Sequence, residues 1–82
     1  MKVPIIKHLF LNNEAEKLEN TLDVLESLSE ARGITDEEMN IIGEFITNIC
    51  GALEVHQLTA AGMRPTDAIN TFAKKVIGSI DK

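Results

Sequence analysis

The side chains best suited to chemistry in this sequence are Cys50, His8, His56 and a run of carboxylates between Glu16 and Glu30. A reactive thiol needs exposure, a nearby cation and a base. No Lys, Arg or His stands within four residues of Cys50, and its neighbours are Ile49 and Gly51. The expectation is therefore a buried, inert cysteine. His56 falls toward the middle of an apolar helical arc, where it could be a ligand, a pH switch or a general base. Histidines so placed are more often hydrogen-bonded structural residues that tie two elements together. A metal site needs three or four ligands, and one cysteine with two scattered histidines forms no recognisable set, so no metal and no cofactor are expected.

Glu16, Glu19, Asp23, Glu26 and Glu30 recur every three or four residues, which places them on one helical stripe. The functional reading is a docking face for a basic protein partner or a weak cation site. The plainer reading is a solvated helix face. Paired-carboxylate catalysis is not expected, because such sites need burial to separate two pKa values. There is no phosphate-binding glycine loop, nucleophile elbow or His-Glu zinc motif. No enzyme is expected.

The elements that must carry these residues are helical. Sustained period-2 alternation and hairpin dipeptides are absent, as are Tyr and Trp. Pro4 suits the first turn of a short N-terminal helix whose Ile5, Ile6, Leu9 and Phe10 fall on one side. A main helix is predicted from about Asn13 to Arg32. Asn13 and Glu16 form its capping box, Leu18, Leu22, Leu25 and Leu28 its apolar stripe, and Gly33 its stop. Thr35 and Glu38 make a second capping box, with Ile34 and Met39 as a hydrophobic staple. The helix they open is predicted from about Asp36 to Ala61, a rod of about 40 Å. Gly62 ends it, and Pro65 and Thr66 open a last helix with Ala68, Ile69, Phe72, Ala73, Val76, Ile77 and Ile80 on its apolar side. The fold class is all-α: one domain over residues 1–82, a three-helix bundle with a short extra N-terminal helix and a long central helix.

That central helix carries the one anomaly. Met39, Ile42, Phe45, Ile46, Ile49, Cys50, Ala52 and Leu53 fill a broad apolar arc, opposite a solvated face of Asn40, Glu44, Thr47 and Asn48. Toward the C-terminal end, Gly51, Val55 and Leu58 fall on the formerly polar side. A helix apolar all round must be buried. Either the N-terminal segment covers this patch or a second copy does. Gly43, Thr47 and Gly51 repeat every four residues, which permits close helix approach, so the expected interface is Gly43, Thr47, Gly51, Val55 and Leu58, and the expected assembly a homodimer.

Composition bounds the partners. The net charge is −5, and the segment Glu14 to Glu54 holds eleven acids against Lys17 and Arg32. Acidic surface repels phosphate backbones, so no nucleic acid is expected. No segment approaches the roughly 20 apolar residues of a membrane span, so no membrane is expected. A single cysteine rules out an intramolecular disulfide and fits a reducing compartment, and the expected location is cytoplasmic.

The opening Met1-Lys2-Val3-Pro4-Ile5-Ile6-Lys7, the core Gly43-Glu44-Phe45-Ile46-Thr47-Asn48-Ile49-Cys50-Gly51-Ala52-Leu53-Glu54-Val55-His56 and the stretch from Ala68 to Ile80 carry a resemblance. The chain resembles a family of small bacterial proteins of about this length with a domain of unknown function. The resemblance implies no activity. It suggests a redox-linked accessory role, since relatives lie beside thioredoxin and peroxiredoxin genes, but it assigns that role to no residue. The function expected from the sequence is a non-enzymatic interaction or structural module that self-associates. The alternatives are a small metal- or ligand-binding protein centred on His56 and a redox-linked accessory protein using Cys50.

Overall fold

The computed structural model describes residues 2–80. It holds four helices, α1 (Val3–Asn12), α2 (Ala15–Ser29), α3 (Asp36–Ala60) and α4 (Pro65–Ile80), and no strand among the described residues. The close packing is all against α3: α1, α2 and α4 each lie along it. At 1.5 Å per residue α3 is about 37 Å long, and it sets the long dimension of a slab measuring 42 × 32 × 17 Å.

Local sequence explains most of the element boundaries. The Thr35 hydroxyl accepts from the Glu38 N–H at 3.1 Å, and the Thr35 N–H donates to the Glu38 carboxylate at 3.0 Å, completing the expected capping box. The Thr35 backbone N–H first, and its hydroxyl second, favour the charged form of Glu38 and hold its carboxyl below the ordinary pKa of 4.5. Gly62 ends α3 at φ +107°, where a Cβ would be strained. Gly62 N–H bonds back to Thr59 and Met63 N–H to Leu58, which is a Schellman motif.

Two expected boundaries move. Asn13 does not cap α2. Its side-chain amide donates to the Leu9 carbonyl at 3.1 Å and so serves the end of α1, leaving Glu14 at the N-cap without a side-chain bond. The end of α2 comes at Ser29 rather than Arg32. The Glu30 and Ala31 N–H groups bond three residues back, to Ser27 and Leu28, and Ser29 donates to the Glu26 carbonyl. That tightening closes the helix early, and Gly33 (φ +86°) turns the loop that follows.

The core lies along the second half of α3. Ile49, Ala52 and Val55 are buried there against Ile6 and Phe10 of α1, Leu18 of α2, and Ala68 and Phe72 of α4. Leu28, expected on the α2 stripe, is exposed, as are Met39 and Phe45 of the α3 arc. Glu54 and Lys75 pair at 3.0 Å across α3 and α4. Ile77 and Ile80 lie outside the residues whose side chains are described.

Candidate functional site

The apolar C-terminal half of α3 is covered from within the chain. Gly51 and Val55 are buried. A Cβ on Gly51 would stand 2.8 Å from Ile6 Cδ1 and 3.1 Å from Phe72 Cζ. The glycine is thus where α1 and α4 both close on α3. Leu58 packs half-buried at the edge of the same core, while Gly43 and Thr47 are exposed on α3. The five residues read as a dimer patch therefore do not form one surface. The four-residue spacing of small residues serves the chain's own packing at Gly51, and nothing lies within 4 Å of a Cβ at Gly43.

Asn48, assigned by spacing to the solvated side, is 7% exposed. Its side-chain oxygen accepts the Lys2 N–H at 3.1 Å and so fixes the start of α1, whose N-cap has no side-chain bond of its own. The signal was present in the sequence: Asn48, Gly51, Ala52 and Val55 follow the i, i+3, i+4, i+7 pattern of one buried stripe.

His56 is half-buried, with its Nε2 2.8 Å from the Asn13 carbonyl, which can only accept, so Nε2–H donates. Its ring lies 4.5 Å from that of Phe10, centroid to centroid. His56 thereby ties the α1–α2 corner to α3. Among the described residues no group of three His, Cys, Asp or Glu side chains is placed to hold a metal ion. Cys50 is exposed, contrary to the buried thiol expected. The apolar arc is wider than its covering helices, and Cys50 lies on the side they leave bare. Glu16, Glu19, Asp23 and Glu26 are exposed along α2, and Glu30 is exposed at its C-cap.

The feature that spacing did not reveal is a groove between α1 and α2, floored by the middle of α3. Ile5 and Leu9 line one wall, Thr21 and Leu25 the other, and Phe45, Asn48 and Ile49 the floor, around a volume of 370 Å³. Its polar side chains have partners. The Thr21 hydroxyl donates to the Lys17 carbonyl, and Asn48 accepts from Lys2. The rest of the lining is apolar, so apolar surface suits an occupant. The rim continues this character. Val24 and Leu28 follow Thr21 and Leu25 on α2 at three-residue spacing, and Ile41 precedes Phe45 by one turn of α3. Ile5, Val24, Leu28, Ile41 and Phe45 are 41% to 67% exposed, and they are five of the seven large apolar side chains that reach solvent among the described residues. The acidic stripe of α2 lies on the side turned away, with Glu26 about 140° from Thr21 at 3.6 residues per turn.

A chain that is all-helical over its described residues and carries an apolar groove is the class that fold and site define. The chain belongs to the family described as Family of unknown function (DUF6952), which matches residues 1–81. No curated protein and no solved structure matched it. No helix among the described residues is long and apolar enough to cross a membrane.

Proposed function

We propose that this protein is a non-enzymatic interaction module whose working surface is the groove face of α1, α2 and α3. One observation carries the reading: exposed Ile5 and Phe45 join Leu9, Leu25 and Ile49 in lining one apolar groove, and helical spacing sets exposed Val24, Leu28 and Ile41 along its rim. Scattered exposed apolar residues need no explanation, but a contiguous set around a concave site marks a binding surface. The finer fold reading is a three-helix bundle of α2, α3 and α4, with α1 as the extra element that fills the side of α3 beside Gly51. A location in the cytoplasm remains part of this proposal.

A photo-crosslinking residue at Phe45, compared with one at Asp23 on the acidic side, tests the surface in living cells. The expected result is a protein adduct from position 45 and none from position 23. Adducts of small-molecule mass alone, or equal adducts from both positions, would overturn it. The exposure of Cys50 favours one second reading, a redox-linked accessory protein. It requires the native thiol to react much faster than a free peptide thiol, and labelling at the ordinary peptide rate ends it.

A further inference from the structure

We infer that the occupant of the groove is a second copy of this chain, docked about a two-fold axis that seats each Phe45 in the partner's groove; the inference rests on the groove face being the working surface. The first support is area. The chain exposes 5877 Å², about 1,000 Å² more than a compact monomer of 9.0 kDa should. Its radius of gyration is 13.8 Å, against about 12 Å for a compact chain of this length. A standard interface removes about 800 Å² from each partner, so the excess is what one such contact would cover.

The second support is shape. The knob and the hole share one face, because Phe45 is both part of the groove floor and 53% exposed. An isologous contact needs that self-complementarity.

Charge is the third. On α2, Lys17 precedes Thr21 by one turn, and on α3, Glu38 precedes Phe45 by two. Leu25 and Phe45 line the same groove, so the antiparallel helices put Lys17 at one end of the face and Glu38 at the other. Both are exposed. A two-fold axis lying in the contact plane and running across the helices exchanges the ends and brings each Lys17 toward the partner's acidic α3 terminus.

Absolute mass by light scattering behind size exclusion, at two concentrations with refractive-index detection, is the first measurement. The expected value is twice the 9.0 kDa chain mass, falling to 9.0 kDa in Phe45→Glu with helical content retained. Lys17→Glu and Glu38→Lys should each weaken association about tenfold, since the axis makes every pair twice, and the double swap should restore it. Loss of the Glu38 cap is common to the single and the double variant, so it cannot produce the rescue. Cys50 lies about 140° around α3 from Phe45 and should label equally fast in monomer and dimer. A mass of 9.0 kDa at both concentrations overturns the inference, as does a dimer that Phe45→Glu leaves intact or that protects Cys50. A crosslink from position 45 to a protein of another mass would then leave the groove as a working surface with a different occupant.

Discussion

The two halves of α3 solve the same problem differently. From Asn48 to Val55 the helix is enclosed on all but the Cys50 side: α1 and α4 meet over Gly51, and Ala52 and Val55 are fully buried. From Asp36 to Phe45 only Ile42 is buried, while Met39, Ile41 and Phe45 reach solvent. The enclosed half is held by packing. The bare half is held at its start by a capping box, which needs no neighbour. The contrast teaches that a short chain can complete one end of a long helix from its own residues and leave the other end as surface.

The largest expected effect breaks the enclosed half. Phe72→Ala removes a buried ring that closes on Gly51 and should cost about 3–5 kcal/mol in denaturant unfolding. Phe45→Ala, in the bare half, should cost the isolated monomer far less; an equal loss would erase the distinction between the halves.

The glycines give a sharper contrast within one helix. In Gly51→Ala the new methyl meets the buried Ile6 side chain at overlap distance and Phe72 in tight contact, and overpacking costs about 1–3 kcal/mol, partly offset by better helix propensity. In Gly43→Ala nothing lies within 4 Å, and the monomer should gain up to about 1 kcal/mol. Opposite signs in thermal melts support the reading, and equal signs refute the close approach at Gly51.

Local capping supplies the smaller effects. Thr35→Ala should cost about 1 kcal/mol. Glu38 titrates below 4.5 in the folded chain because Thr35 bonds its charged form. Its contribution is therefore present above the unfolded pKa and is lost as pH falls through the lower folded value. Melting temperature should decline on acidification below about 4.5, and Glu38→Gln, which keeps an amide oxygen for the Thr35 N–H, should show a shallower decline.

Much of the fold was legible because its signals are local. Thr35 with Glu38, Gly62, and Pro65 each act within a few residues of themselves, so spacing alone locates them. Asn13 misled because its amide had two possible employers, the start of α2 and the end of α1, and the bond to Leu9 prevailed. Periodicity likewise marked the C-terminal end of α3 as apolar nearly all round, but could not say which side its own helices reach.

By itself the sequence determined four helical segments, the ends of α3, the acidic stripe of α2 and the need to bury the second half of α3. Only the tertiary structure decided that α1 and α4 bury it, that Asn48 fixes the start of α1, that Cys50 faces solvent and that Ile5, Leu9, Leu25 and Phe45 share a groove. The reason is physical. Helix formation and capping depend on neighbours three or four residues away, whereas a groove depends on the angle at which separate helices cross, and no single segment encodes that angle.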